Sequence, residues 1–285
     1  MDDSGERALR VRAANAVAHT RSLASREPAW GSEIHPFAGG WMVLAGAGMY
    51  INQAVVAGID EALTTDDLDL LIERSAAVGV APAIEVLPAT LVESVRLIRA
   101  RGFVRDQNAD ITILTRPVMA PVIDATVDLA IHPVESEADL RLWQETSATG
   151  WAHTGSEARK ASDAFAAAAH ALDNESMAVA FDQADRRPVG CATMTMCDGV
   201  AMFGGMSTVP AERRRGVQAA LLRYRMNQAR AMGCDLAMTT AASGGASQRN
   251  LERHGFAPGF TIQRFTLAGA ARPGAVGHDM VRTEA

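Results

Sequence analysis

The sequence predicts an α/β protein with mixed sheets, built as two similar units in tandem, each a twisted mixed sheet flanked by helices. Three observations carry this expectation. Hydrophobic residues make up 48% of the 285 and charged residues 21%, which is enough apolar material for a large core at a length that suits two ordinary domains. Short apolar runs alternate with segments of helical period along most of the chain. One succession also occurs twice. Ala77-Val78-Gly79 precedes a strand and then a helix closed by Arg101-Gly102-Phe103, while Ala231-Met232-Gly233 precedes a strand and then a helix closed by His254-Gly255-Phe256. The glycines stand 23 residues apart in the first copy (79 to 102) and 22 in the second (233 to 255), so order and spacing agree and point to a duplicated fold.

The elements follow from local pattern. Residues 1–27 carry Leu9, Ala13, Ala16 and Val17 on one helical face, and Pro28 stops that helix. Strands are expected at Trp41–Ala45 and Met49–Ala57. Thr64-Thr65-Asp66-Asp67 is a capping box ahead of Leu68, Leu71 and Ile72, so a helix runs to about Val78 and ends at Gly79. A strand over Val80–Leu87, a helix over Thr90–Arg101 and a strand over Ile111–Leu114 complete the first unit, 1–120, whose end falls near Pro117–Pro121. The second unit, 121–285, opens with a strand at Val127–Ile131. Ser136-Glu137-Ala138-Asp139 caps the next helix, and an Ala-rich helix covers Glu157–Leu172. Met177–Phe181, Val189–Cys197 and Val200–Val209 form a meander whose last turn, Asp198-Gly199, is a strong hairpin signal. A helix over Gly216–Met232, a strand over Cys234–Thr240, a short helix over Gln248–His254 and a strand over Ile262–Leu267 follow, and the tail from Ala268 is expected to be loose.

Composition narrows the function classes. A formal charge of -6 creates no field that would draw nucleic acid or an anionic membrane, and no run approaches 18 apolar residues. Three cysteines without a C-x-x-C pair suit a reducing cytoplasm and argue against a structural metal. The expected partner is a small molecule, with the chain a monomer or a homodimer.

The informative segment is Thr208-Val209-Pro210-Ala211-Glu212-Arg213-Arg214-Arg215-Gly216-Val217-Gln218-Ala219: a strand, a basic loop and a helix start. Free N–H groups and the positive end of the helix dipole hold an anion there, Gly216 admits a close backbone approach, and arginines supply charge. A solvated basic turn has the same composition. A nucleic-acid patch would need aromatic residues among the arginines, and there are none.

With these residues the chain resembles the GNAT superfamily of acyl-CoA N-acyltransferases, whose pyrophosphate signature Q/R-x-x-G-x-G/A is matched by Arg213-Arg214-Arg215-Gly216-Val217-Gln218, with Gln218 departing at the last position. Ser247-Gln248-Arg249-Asn250 leading to Arg253-His254-Gly255-Phe256 is similar to the family's closing motif. The likeness covers about Val127–Leu267. It implies two GNAT-like units, acetyl-CoA as cosubstrate with no metal, and a splay between the fourth and fifth strands where the acyl-pantetheine arm adds like a strand. The implied cofactor residues are Thr208, Val209, Arg213, Arg214, Arg215, Gly216, Val217, Gln218, Ala219, Ala241, Asn250 and Arg253, with Thr240 beside Ala241. In the first unit, residues 56–64 hold no arginine and two acids, so that copy is expected to shape the acceptor pocket without binding CoA. The implied activity is acetyl transfer to the amine of a small molecule or amino-acid-like acceptor, by direct attack in a ternary complex. The catalytic residues are unassigned: Ala201–Val209 has no carboxylate where relatives place a Glu, and Leu251 stands where a Tyr is often found. His170, Glu157, Ser243 and Ser247 are weak candidates, and a lone His is more often a packing residue. Met194 and Met196 read as packing. The alternative is a CoA-binding regulatory or scaffold protein that kept the loop and lost catalysis.

Overall fold

A computed structural model describes residues 2–121, 127, 129–153 and 155–270, which form two compact units. Unit 1 comprises Met1–Ile113 with Ala241–Gln248 and the chain from Gly259; unit 2 comprises Leu114–Thr240 with Arg249–Pro258. Residues 122–126 and 128 lie outside the described residues, so the strand expected from Val127 is seen from Leu129. Most of the tail expected to be loose, residues 271–285, also lies outside them.

In chain order unit 1 contains α1 (Asp3–Arg26), β1 (Glu33–Phe37), β2 (Gly40–Leu44), β3 (Gln53–Val55), α2 (Thr65–Val78), β4 (Ala83–Val86), α3 (Val92–Ala100) and β5 (Phe103–Arg105); β6 (Ile111–Pro117) begins in it. β1, β2 and β3 pair antiparallel in sequence, and β4 lies parallel to β3 through the pair Ala54↔Ile84, with α2 as the crossover. Side chains alternate across the sheet. Met42 and Leu44 face Leu68, Leu71 and Ile98 of α2 and α3, while Val43 faces Val17 of α1.

β1 is not expected from the sequence pattern, and one expected strand of this unit is shorter than predicted. β1 includes Pro36, which lacks an N–H for a ladder, and the strand sits at the sheet edge, where that is tolerated. β3 is shorter than the expected Met49–Ala57. Asn52, buried, accepts from the N–H groups of Ala45 (2.7 Å) and Gly46 (3.1 Å) and donates to the carbonyls of Gly46 (2.8 Å) and Met49 (2.7 Å), so residues 45–52 are tied as a loop instead of a strand.

Unit 2 contains β7 (Leu129–Pro133), α4 (Glu137–Gly150), α5 (Ser156–His170), β8 (Glu175–Asp182), β9 (Pro188–Cys197), β10 (Val200–Thr208) and α6 (Val217–Ala231). β11 (Leu236–Ala242), α7 (Ala246–Arg253) and β12 (Ala257–Leu267) run across the division between the units. β7, β8, β9 and β10 pair antiparallel, and β11 lies parallel to β10 with α6 as the crossover. Asp198 and Gly199 both have positive φ (49° and 73°), as a two-residue hairpin of this twist requires. Val179 and Cys191 face Leu140 and Trp143 of α4, whereas Ala180, Val189 and Ala192 face Val217 and Leu221 of α6. The meander-crossover plan β1-β2-β3-α2-β4 is thus repeated as β8-β9-β10-α6-β11. β12 pairs with β4 (Gln263↔Val86 to Thr266↔Ala83) and with β5, so the last strand belongs to unit 1 by its hydrogen bonds.

Candidate active site

The ladder between β10 and β11 covers only Val200–Phe203 against Leu236–Thr239. Beyond it the two strands part, although β10 continues to Thr208 and β11 to Ala242. The cause is a bulge in β10: against β9 the register advances from Gly204↔Thr193 to Ser207↔Cys191, one residue too many. Gly205, at φ +50°, occupies the bulge, and a Cβ there would lie 2.7 Å from Thr193 Cγ2 and 3.2 Å from Trp143 Cζ2. Only glycine meets both the conformation and the space. The Thr239 hydroxyl donates to the Phe203 carbonyl (2.9 Å), closing the last paired position, and Phe203 packs edge-on against Phe256.

Two further close approaches bring helix ends to the same stretch. A Cβ on Gly150, the last residue of α4, would fall 1.7 Å from Ser207 Oγ, and one on Gly190 of β9 would fall 2.7 Å from Val217 Cγ1 and 2.8 Å from the Ser207 carbonyl. The C-terminus of α4 and the N-terminus of α6 therefore rest directly on β9 and β10.

α6 begins at Gly216 (φ 82°, ψ 4°) with no side-chain cap and no acid in its first turn. Its first amides are left to solvent or to an anion. The three arginines before it differ. Arg213 donates to the Gly150 carbonyl (2.9 Å), at the negative end of α4. Arg215 pairs with Glu212 and, at 3.6 Å, with Asp182. Arg214 has φ +63°, is exposed, and makes no hydrogen bond or ion pair among the described residues. Glu212 is buried between two cations, because Arg187 also donates to it (2.5 Å), and the pairing of Arg187 with Glu212 and Asp185 raises the guanidinium above its ordinary range.

At the start of α6, Gln218 Oε1 accepts from Asn250 Nδ2 of α7, and Asn250 Oδ1 accepts from Arg253 (3.0 Å). The residue that departs from the signature thus joins the loop to the closing motif. Leu251 is buried in the core. Thr208 pairs with Gly190, Val209 donates to the Val189 carbonyl (3.0 Å), and Ala241 is buried on β11 past the last pair with β10.

The weak catalytic candidates are scattered. Glu157 and His170 lie on α5, which packs on α4 and β8, and Glu157 is paired with Lys160 at an exposed position. Ser243 is held by Asp110 and Thr112, and Ser247 lies in the first turn of α7. Sequence reasoning missed Arg225, which is 2% exposed on the inward side of α6 beside the bulge, where burial lowers its pKa to about 9 and still leaves it a cation at neutral pH. The signal was present: Arg225 continues the buried stripe of Val217 and Leu221 at four-residue spacing.

The same place in unit 1 is closed. α2 starts with a complete capping box: the Asp67 amide donates to Thr64 Oγ1, and Asp67 Oδ2 accepts from the Thr64 amide (2.8 Å), with Asp66 alongside. The preceding loop is sewn to α3, since Leu91 N–H donates to the Gly58 carbonyl (2.8 Å) and Leu63 N–H to Ser94 Oγ (3.0 Å). A carboxylate occupies the end of the helix where unit 2 leaves bare amides.

Among the described residues no group of three or more His, Cys, Asp or Glu is placed to hold a metal, and no helix is long and apolar enough to cross a membrane. No curated protein sequence matches the chain. Among solved structures, a GCN5-related N-acetyltransferase from Kribbella flavida is 16% identical, over 90% of this chain and 95% of its own, with a TM-score of 0.62. A tandem GNAT protein from the clavulanic acid biosynthesis pathway is 12% identical, over 91% and 95%, with a TM-score of 0.55. A conserved protein of unknown function from Staphylococcus epidermidis is 12% identical, over 77% and 86%, with a TM-score of 0.58. These likenesses establish the fold, two GNAT-like units of mixed sheet flanked by helices. The profile of the acetyltransferase (GNAT) family matches residues 139–256, so this segment is similar to a GNAT acetyltransferase domain.

Proposed function

We propose that the chain is an acetyl-CoA-dependent N-acetyltransferase that acetylates the amine of a small-molecule or amino-acid-like acceptor by direct attack in a ternary complex. The observation that carries this reading is the uncapped start of α6 at the end of a strand that has just parted from its parallel neighbour. The first supplies amides for a pyrophosphate; the second supplies unpaired backbone for an extended pantetheine arm. In this reading Gly216, Val217, Gln218 and Ala219 present the amides, and Arg214 adds the freest charge beside Arg213 and Arg215. Thr208 and Ala241 make the strand-like contacts, with Val209, whose N–H is taken by the Val189 carbonyl, beside them, while Asn250 and Arg253 border the site from α7. The capped start of α2 supports assigning acetyl-CoA to the second copy alone, with the first copy a degenerate GNAT-like unit.

Acetyl-CoA supplies an activated acyl group; the protein holds it and orients the acceptor. β10 carries no carboxylate, so no side chain there takes the amine proton, and the acceptor enters as the free amine. One proton passes from nitrogen to the departing sulfur by way of water. Three free thiols suit a cytoplasmic enzyme. Thiol release from acetyl-CoA across a panel of small amines tests the proposal: amine-dependent release supports it, and tight binding without release favours a CoA-binding regulatory or scaffold protein.

A further inference from the structure

Arg225 is a buried cation that the reading above leaves unused. It stands on the inward stripe of α6, where the pattern calls for an apolar residue, and no carboxylate pairs with it among the described residues. Burying an unpaired charge is costly, so its hydrogen bonds must compensate. Nη1 donates to the carbonyls of Thr193 (3.0 Å) and Gly204 (3.3 Å), Nη2 to Met206 Sδ (3.1 Å) and Nε to the Leu221 carbonyl (3.3 Å), and the guanidinium lies 4.5 Å from the centre of the Phe203 ring. Thr193 and Gly204 are the pair just before the β10 bulge, and Met206 lies just before Ser207, where the ladder resumes. The guanidinium therefore clamps both strands where the ladder breaks.

A peptide group is planar, with C=O and N–H on opposite edges. The Gly204 carbonyl turned toward Arg225 directs the Gly205 N–H away from it. Gly205 is exposed although it lies within β10. A cation on the carbonyl end of a peptide polarises it and strengthens its N–H as a donor.

We propose that Arg225 is a positioning residue of the acyl transfer: it fixes the β10 bulge and polarises the Gly204–Gly205 peptide so that the Gly205 N–H donates to the carbonyl oxygen of the bound thioester. The proposal rests on the acetyl-CoA reading. In the step, the amine lone pair forms the C–N bond as the C=O π pair moves onto oxygen, where the Gly205 N–H stabilises it. The pair then returns, the C–S bond breaks, and sulfur leaves with its electrons and takes the proton that nitrogen gives up.

The test is isotope-edited infrared spectroscopy of acetyl-CoA labelled with carbon-13 at the thioester carbonyl, bound to the full chain. In the wild type the carbonyl stretch should fall below its value in solution. In Arg225→Met it should return toward that value, with acetyl-CoA affinity within about threefold of wild type, because the phosphate loop is intact. Arg225→Lys keeps a cation without the fork, guards against a Met variant that fails to fold, and should fall between. With an accepted amine, kcat should drop about tenfold in Arg225→Met with KM little changed, less than the loss of a whole oxyanion donor. A stretch identical in wild type and both folded variants overturns the role of Arg225 and leaves the acetyl-CoA reading standing; a wild type that does not bind acetyl-CoA overturns both.

Discussion

Arg213, Arg214 and Arg215 are adjacent in sequence and differ in environment, and ligand affinity should follow the environment. Arg214→Ala should raise the Kd for acetyl-CoA about tenfold while leaving the melting temperature unchanged, since its charge is engaged with nothing else among the described residues. Arg215→Ala should do the reverse. It strips one of two cations from the buried Glu212, which costs about 1 to 3 kcal/mol of stability, with a smaller effect on Kd. Titration calorimetry and thermal melting separate the two, and equal losses of affinity would mean that the loop acts only as scaffold. The basic cluster was plain in the sequence. Which arginine stays available was not, because Asp182 reaches Arg215, and Arg187 reaches Glu212, only through the β8–β9 turn.

At the scale of elements, α2 and α6 fill the same place in the two copies, one start capped and one bare. Thr64→Ala should cost about 1 kcal/mol of stability and leave acetyl-CoA binding alone. Gly216→Ala forces an L side chain to φ 82°, costs about 1 to 2 kcal/mol and should weaken acetyl-CoA severalfold, as denaturant melts and titrations of both variants will register. A Thr64 variant that lost affinity would break the assignment. The helices were legible because their punctuation is local: both capping boxes, the Asp198-Gly199 turn, and glycine caps at Gly79 and Gly233, where positive φ alone demands glycine since a Cβ would meet nothing within 4 Å. β1 and the shortened β3 were not legible. Pro36 is tolerated only because β1 is an edge, and the Asn52 loop depends on four hydrogen bonds that no periodicity encodes.

Across the whole molecule, duplication accounts for the repeated order of elements, and the proposed chemistry is one-sided because only α6 starts uncapped beside a basic loop. The glycine spacing made the repeat readable, and the Arg213–Gln218 segment is what assigns acetyl-CoA to the second copy in the proposed reading. The bulge, the parting of β10 from β11 and the clamp by Arg225 were hidden, because each requires strands distant in sequence to be laid side by side. With no carboxylate on β10, the rising limb of kcat/KM against pH should follow the acceptor: amines of different pKa should shift it in parallel, and a limb fixed at one pH for all of them would reveal a base on the protein. The central claim is that one copy of a duplicated fold binds acetyl-CoA and the other does not. Calorimetric titration of the full chain tests it most directly: the account predicts one site per chain, weakened by Arg214→Ala and unaffected by Thr64→Ala, and two equivalent sites, or none, would contradict it.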